Sequence, residues 1–232
     1  HTPPPPILSG LVGSEMCIRD RVIRVPVGGY IHGGLCHSQS IDGYFIHMPG
    51  IYLAYPSCSS DAKGLLKSSI RDNNPVIFME SEQMYGDKGM VPDEEYLIPI
   101  GKANLVQEGS DVTIVSYGKM MKVIVDAQTT LNKENIFPEL IDLRTIRPID
   151  YDLIIDSVKK TNRLIIVEES WPLASISSEI SYKIQKDAFD FLDAPIQRIC
   201  SADTPMAYSP TLVTEFLPKK NDIRFQKFRN LS

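Results

Sequence analysis

This sequence lacks long apolar runs, paired cysteines and any excess of basic residues. No apolar stretch approaches the ~20 residues that a membrane-spanning helix needs. The formal net charge of −5 gives no basic surface for nucleic acid. The four cysteines form no CxxC pair, so a zinc cluster or a dense disulfide framework is not expected; they are Cys17, Cys36, Cys58 and Cys200. We therefore expect a globular protein of a reducing compartment that binds neither membrane nor nucleic acid.

The first 21 residues, HTPPPPILSGLVGSEMCIRDR, differ in composition from the rest of the chain. They begin without Met, contain four consecutive prolines and show neither helical nor alternating periodicity. A signal peptide is not expected, because the charged start and the apolar core of ~7–15 residues are both missing. A proline-rich linker is one reading, but LVGSEMCIRDR resembles translated adapter sequence from an untrimmed transcript. We predict that residues 1–21 are a non-native or disordered leader and that the native chain begins near Val22.

Strand-like and helix-like stretches alternate after this leader, and the alternation predicts an α/β fold with two α/β domains. The first unit, residues 22–85, reads as strand, loop, strand, helix and strand. Residues 86–109 are polar, contain Gly and Pro, and are predicted to be a linker. Residues 110–228 alternate between strand and helix, which predicts a mainly parallel sheet. Within this unit one strand is expected over residues 139–148, and the next helix is expected to begin with Asp150 as its cap.

The stretch GGYIHGGLCHSQS, residues 28–40, invites several chemical readings. It is not a P-loop, since Leu35 and Cys36 stand where Lys and Ser or Thr are needed, and it contains no GxGxxG. His32, Cys36 and His37 could bind zinc, but no second Cys or His cluster would complete four ligands. A nucleophilic Cys36 beside His37 lacks the glycines of a nucleophile elbow. What remains is a ligand-cleft loop with a titratable His37 or a structural histidine, and the residues alone leave both readings open.

Several long motifs in a fixed order carry a family resemblance from Val22 nearly to the C-terminus. They are HSQS, DAKGLLKSSIRDNNPVIFMESEQMYG, LRTIRPID, TNRLIIVEESWP, and DFLDAP followed by ADTPMAYSP. Together they resemble the beta subunits of the thiamine-diphosphate-dependent 2-oxo acid dehydrogenases. The resemblance implies that residues 22–85 are the C-terminal part of a transketolase-like pyrimidine-binding domain. It implies that residues 110–228 are a transketolase C-terminal-type domain with a mainly parallel sheet.

The same resemblance implies an enzyme with cofactors and partners. The beta subunit pairs with an alpha subunit as an α2β2 heterotetramer, thiamine diphosphate sits between the two, and alpha holds its diphosphate and magnesium. The reaction decarboxylates a 2-oxo acid and passes the acyl group to a lipoyl arm of the acyltransferase core. The implied compartment is the cytoplasm in a bacterium or the mitochondrial matrix in a eukaryote.

The resemblance also implies which residues act in catalysis. The histidine of the family's HSQ motif lies in the active-site channel and is His37 here, which implies that it hydrogen-bonds or protonates groups near the substrate and the lipoyl arm. The family's catalytic glutamate and the aromatic shelf for the aminopyrimidine ring are expected upstream of Val22. This chain is therefore expected to be inactive alone.

A potassium site is implied by the segment SSIRDNN. Backbone carbonyls at a helix end and hard oxygen side chains suit such a cation. Alternatively, the Asp and the last Asn of this segment simply terminate the helix. The implied potassium ligands are Ser69, Ile70, Asp72 and Asn74.

The motifs favour pyruvate as the substrate. GGYIHGGLCHSQS is more similar to the branched-chain 2-oxo acid enzymes, whereas MESEQMYGDKG and VEESWP with DFLDAP are more similar to the pyruvate enzymes. Because the pyruvate-like motifs are more numerous, we predict oxidative decarboxylation of pyruvate with transfer of the acetyl group. The alternatives are a branched-chain 2-oxo acid dehydrogenase beta subunit and, from another class, a catalytically incomplete assembly or docking subunit.

Other conspicuous residues are predicted to support structure rather than catalysis. The pair Glu168–Glu169 resembles an acid/base pair, but a structural or interface role is expected because the cofactor lies in the other domain. Arg144 and Arg147 are expected in packing or a subunit contact. Trp171 either anchors an interface or packs in the core.

Overall fold

The computed structural model describes residues 21–29 and 31–223, and two sheets organise this part of the chain. The first sheet has the order β1-β3-β2-β7, in which β1, β3 and β2 are parallel and β7 runs antiparallel to β2. Its strands are β1 (Val22–Val27), β2 (Tyr52–Ala54), β3 (Val76–Ser81) and β7 (Thr145–Arg147).

The second sheet has the order β4-β6-β5-β8-β9 and is parallel except for its edge strand β4. Its inner strands β5, β6 and β8 are buried along their whole length, as expected for strands covered on both faces. The two-domain α/β fold with a mainly parallel second sheet is therefore confirmed. The strands are β4 (Asn104–Gln107), β5 (Val112–Ser116), β6 (Pro138–Asp142), β8 (Leu164–Val167) and β9 (Gln197–Ile199).

Helices cover both sheets, and within the described ranges none is long and apolar enough to cross a membrane. Asp150 stands at the predicted N-cap position, but its carboxylate accepts a hydrogen bond from the backbone N–H of Ala103 instead of capping the helix. The helices are α1 (Gly34–His37), α2 (Asp42–Ile46), α3 (Ser59–Arg71), α4 (Met120–Lys133), α5 (Tyr151–Thr161), α6 (Ile176–Asp187) and α7 (Pro210–Phe216).

The apolar side chains form layers that join the two domains. Helix α3 covers one face of the first sheet, and helix α4 covers the outer face of the second sheet. Between the sheets lies the largest cluster, to which both sheets contribute together with α5 and α6. The helices enter it with one face, because their apolar residues recur at intervals of four; these are Ile154 and Val158 on α5, and Ile176, Ile180 and Ile184 on α6.

The single strand predicted over residues 139–148 is wrong, because the structure divides it between the two sheets. β6 belongs to the second sheet, and β7 leaves it to pair with β2 of the first. The chain turns at Arg144, whose φ of +58° lies in the left-handed region. Its backbone N–H donates to Asp142 Oδ1 at 3.0 Å, which holds the turn.

The segment between the two units also contributes a strand. Residues 104–107, within the predicted linker 86–109, form β4 and pair antiparallel with β6. Residues 1–20 of the predicted leader lie outside the described residues. The predicted domain boundaries and the leader hypothesis therefore stay predictions.

Candidate functional site

The candidate site begins at the carboxyl end of β1. Gly28 follows this strand with φ +106°, a conformation that residues with a side chain rarely adopt. A Cβ atom at this position would lie 3.3 Å from Ser81 Oγ and 3.4 Å from Glu169 Oε1. Because β1 and β3 are parallel with Val27 opposite Ser81, both strands end at the same edge of the sheet. In α/β sheets, loops at this edge are where ligands bind.

His37 is the last residue of the short helix α1 and is exposed to solvent. The loop before it is tightly folded, since a Cβ atom on Gly33 would lie 2.6 Å from the Cβ of His37. The Gly33 N–H donates to the buried Ser38 Oγ at 2.9 Å, which closes the loop. The loop that follows β1 therefore presents His37 to solvent.

Among the described residues, the other groups of this loop form no cluster that could hold a metal ion. Cys36 is exposed, as is its neighbour His37. Across residues 21–29 and 31–223, no group of three or more His, Cys, Asp or Glu side chains is placed to hold a metal ion. The zinc and cysteine-nucleophile readings thus gain no support from the described residues.

Glu169 reaches from the second sheet to the glycine-rich loop. Its Oε1 accepts a hydrogen bond from the Gly29 backbone N–H at 2.6 Å, and the side chain is buried. Burial raises the pKa of Glu169, while the Gly29 N–H bond and the charge of Lys119 oppose the rise. The structural or interface role predicted for Glu169 is thus a contact between the two domains, on the loop that leads to His37.

A second buried contact lies just beyond His37. The Tyr117 hydroxyl donates to Asp42 Oδ2 at 2.5 Å and lies 3.2 Å from Glu168 Oε2. Both carboxyl groups are fully buried, and burial raises the pKa of each. Glu168 also accepts hydrogen bonds from the N–H and hydroxyl of Ser177. Sequence reasoning missed Asp42 and Tyr117, because neither belongs to a chemical motif and only the fold brings them together.

The implied potassium ligands lie at the opposite edge of the first sheet from His37. They surround the end of α3, just before β3 begins, and include the exposed Ile70. The Ser69 carbonyl accepts the Asp72 N–H at 3.4 Å. Asp72 Oδ1 accepts the backbone N–H of Asn74 at 2.8 Å and its side-chain N–H at 2.7 Å. These bonds terminate the helix, and the oxygens that they gather are of the kind that potassium prefers.

Arg144 links the domains through a bidentate ion pair. Its Nε and Nη2 donate to the two carboxylate oxygens of the buried Asp61, each at 2.8 Å. Beside it, the Ser57 hydroxyl donates to Asp142 Oδ2. Burial raises the pKa of Asp142 to about 7, against the opposing hydrogen bond from Ser57. Arg144 thus makes a structural contact between the domains, and the predicted subunit contact of Arg144 and Arg147 stays a prediction.

Trp171 is half-buried and packs within this chain, while its predicted role as an interface anchor stays a prediction. Its indole Nε1–H donates to the Thr204 carbonyl at 2.8 Å. The ring packs against a small cluster from the end of the second domain. The members of this cluster are Met206, Val213, Phe216 and Leu217.

Two family descriptions match the chain. "Transketolase, C-terminal domain" matches residues 101–223, and "Transketolase, pyrimidine binding domain" matches residues 9–88. The first covers the second sheet with its helices, and the second covers the loop that carries His37.

Curated relatives match over most of this chain. A protein of Rickettsia felis named "Pyruvate dehydrogenase E1 component subunit beta" is 44% identical over 202 residues, which cover 87% of this chain and 62% of that protein. A protein of Dictyostelium discoideum named "Pyruvate dehydrogenase E1 component subunit beta, mitochondrial" is 47% identical over 195 residues, covering 82% and 55%. A protein of Cupriavidus necator named "Acetoin:2,6-dichlorophenolindophenol oxidoreductase subunit beta" is 43% identical over 202 residues, covering 87% and 60%.

The comparisons agree on the fold. A solved structure described as "Split gene transketolase, inactive beta4 tetramer" superposes with a TM-score of 0.70 at 20% identity, covering 87% of this chain and 62% of the other. The chain spans about 55–62% of the length of the curated relatives named above. With a pyrimidine-binding region followed by a C-terminal domain that matches over more than half of the chain, the chain belongs to the family of proteins that carry the transketolase-type C-terminal domain.

Proposed function

We propose that this chain is part of the beta subunit of a thiamine-diphosphate-dependent pyruvate dehydrogenase that transfers acetyl groups. The observation that carries the proposal is the placement of His37, exposed on a glycine-rich loop at the ligand-binding edge of a pyrimidine-binding-type sheet. The names of the relatives from Rickettsia felis and Dictyostelium discoideum support pyruvate as the substrate.

In this proposal His37 hydrogen-bonds or protonates groups of the substrate and the incoming lipoyl arm. The described residues fit such a channel wall, because the backbone turns tightly at Gly33 and presents an imidazole to solvent. Thiamine diphosphate, when bound, supplies the electron sink for decarboxylation. When the acetyl group passes to the disulfide of an oxidised lipoyl arm, one sulfur forms the thioester, the S–S bond breaks and the other sulfur leaves as a thiolate that needs a proton. An imidazole can donate that proton near neutral pH.

The remaining parts of the active site are proposed to come from elsewhere. An alpha subunit would hold the diphosphate and magnesium in an α2β2 assembly, and a lipoyl-bearing acyltransferase core would accept the acetyl group. The compartment would be the bacterial cytoplasm or the mitochondrial matrix, as the relatives of both kinds suggest. That this chain is inactive alone stays a prediction, tested by assaying it with alpha against the full-length beta subunit.

The test of the catalytic role is a pair of histidine variants in the full-length beta subunit assembled with alpha. His37→Ala is expected to lower kcat for acetyl transfer from pyruvate by about 100-fold or more, the usual worth of a positioned proton donor. His47→Ala, an exposed histidine that follows α2, is the matched control and should leave kcat unchanged. Equal effects of the two variants, or none, would contradict the role of His37.

The substrate is tested by direct competition. Pyruvate is expected to exceed branched-chain 2-oxo acids and acetoin in kcat/KM by tenfold or more, since each methylene contributes ~1–3 kcal/mol to discrimination. A preference for a branched-chain acid would favour the branched-chain alternative. If the assembly forms with alpha and the acyltransferase core but turns over none of the three, the assembly or docking role replaces the enzyme proposal.

We also propose potassium at the end of α3, with the ligands Ser69, Ile70, Asp72 and Asn74. The last turn of a helix carries partial negative charge, so a cation there is favoured. Thermal unfolding of the chain in KCl and in NaCl at equal ionic strength tests this site. We expect a higher Tm in KCl, a difference abolished by Asp72→Ala and kept by Asp156→Ala on the exposed face of α5. Identical Tm values in the two salts would argue for helix termination alone.

A further inference from the structure

The second domain holds the loop segment that carries His37 at both of its ends. We call residues 29–42 the His37 segment. At its start, the Gly29 N–H donates to Glu169 Oε1 at 2.6 Å. At its end, Asp42 Oδ2 accepts the Tyr117 hydroxyl at 2.5 Å. Glu169 follows β8 and Tyr117 follows β5, so adjacent strands of one parallel sheet supply both contacts.

The second domain also packs against the backbone of this segment. A Cβ atom on Gly29 would lie 2.7 Å from Leu217 Cδ1 and 3.1 Å from Met206 Cε. A Cβ atom on Gly34 would lie 3.4 Å from the ring of Tyr208. The glycines thus bring the backbone of the segment close to the other domain.

The His37 segment needs such support, because its own secondary structure is weak. Helix α1 has four residues and no side-chain N-cap, and α2 has five residues and none either. Helices of one turn are unstable in isolation, since the cost of nucleation exceeds the few hydrogen bonds formed. The position of His37 therefore depends on contacts from outside the segment.

The two anchoring contacts are well suited to fix a backbone. The three side chains involved, those of Asp42, Tyr117 and Glu169, are all at most 4% exposed. Hydrogen bonds to carboxylates are stronger than those between neutral groups, and loss of one partner leaves a buried group unsatisfied. Opening either end of the segment is therefore costly.

We propose that Glu169 and Tyr117 are positioning residues that fix His37 from the second domain by holding the two ends of its segment. This inference rests on the proposed function only in taking His37 as the group that meets the substrate. In this proposal Glu169 and Tyr117 do not contact the substrate. They hold the backbone of the His37 segment and thereby position His37.

The anchoring is tested by amide hydrogen exchange on this chain and on the assembled enzyme. Glu169→Ala and Tyr117→Phe are each expected to speed exchange in the His37 segment by about 10- to 100-fold, the worth of a lost buried hydrogen bond to a charged group. Exchange in β6 should stay unchanged. Tyr182→Phe, at an exposed tyrosine of α6, is the matched control and should leave both regions as they are.

Conservative replacement separates positioning from general stability. Glu169→Gln keeps an oxygen that accepts the Gly29 N–H, so it should restore slow exchange and most of kcat. In the assembled enzyme, Glu169→Ala and Tyr117→Phe should lower kcat with KM for pyruvate changed less than twofold. Slow exchange in both variants, equal acceleration in β6, or a Glu169→Gln variant as impaired as Glu169→Ala would each overturn the proposal. An inactive wild-type assembly would refute the proposed function, whereas the exchange data would still decide the anchoring.

Discussion

Replacing Asp142 by Asn should remove a large pH dependence from the stability of this protein. Asp142 ends β6 with its carboxyl group 1% exposed, held by the Ser57 hydroxyl and the Arg144 N–H. Burial raises its pKa from 3.8 to about 7, and the negative charge of Asp61 adds to the rise, whereas Ser57 and Arg144 oppose it. The folded protein therefore binds a proton at Asp142 that the unfolded chain has already lost.

The sign and size of the effect follow from this difference in pKa. The stabilisation from the bound proton is complete below the unfolded pKa of 3.8 and is lost as the pH rises to about 7. One pKa unit corresponds to ~1.4 kcal/mol, so ionising Asp142 should lower the free energy of unfolding by roughly 4 kcal/mol between pH 4 and pH 8. Asn keeps an oxygen acceptor of similar size but cannot ionise. The free energy of unfolding of Asp142→Asn, taken relative to wild type, should therefore rise by this amount between pH 4 and pH 8.

The assay is urea unfolding of both proteins at steps between pH 4 and pH 8, compared as differences at each pH. Taking the difference in the free energy of unfolding between the two proteins removes the contribution of the other buried acids, because they titrate in both. Asp156→Asn, at an exposed position of α5, is the control and should differ from wild type by a constant amount. A difference between wild type and Asp142→Asn that changes by less than ~1.5 kcal/mol across the range would refute the reasoning.

Three further predictions concern packing, the interdomain ion pair and thiol reactivity. Gly64→Ala should destabilise the fold by ~1–3 kcal/mol in urea unfolding despite the better helix propensity of Ala, because its Cβ would lie 2.7 Å from Ile98; a gain in stability would contradict this. Arg144→Ala should cost ~3 kcal/mol in the same assay, since it leaves the buried Asp61 unpaired, and a loss below ~1 kcal/mol would contradict that estimate. Burial raises the pKa of Cys200 to about 12, so at pH 8 this thiol should react with a thiolate-selective reagent at least ~100-fold more slowly than the exposed thiols of Cys36 and Cys58. Mass spectrometry measures the modification rates, and equal rates would contradict the prediction.

The proposed anchoring assigns the second domain a part in the active site. The two domains share one apolar cluster, and several polar contacts cross between them close to the first sheet. Two of these contacts, at Gly29 and Asp42, bracket His37, and two, at Asp61 and Ser57, hold the start of α3. Separation of the domains would therefore displace the loops that follow β1 and β2.

Local pattern determined most of the secondary structure. The apolar stretches at β1, β3, β5 and β8 and the helical spacing of α4 to α6 are visible in the sequence, because buried strands and amphipathic helices impose short-range periods on the chain. The alternation of these elements also fixed the α/β class and the mainly parallel second sheet. The motifs around HSQS were enough to propose His37 as a candidate site residue and to indicate the family.

Tertiary structure decided how these elements combine. LIDLRTIR reads as one continuous strand, yet Arg144 turns the chain so that β7 completes the first sheet, because Asp61 and Asp142 satisfy its side chain and backbone. β4 lies in a polar segment without a period, and only pairing with β6 makes it a strand. The contacts of Glu169 and Tyr117 with the His37 segment join residues 140 and 75 positions apart along the chain. No local pattern encodes such contacts, because a buried hydrogen bond depends on which groups the packed sheets bring within ~3 Å of each other.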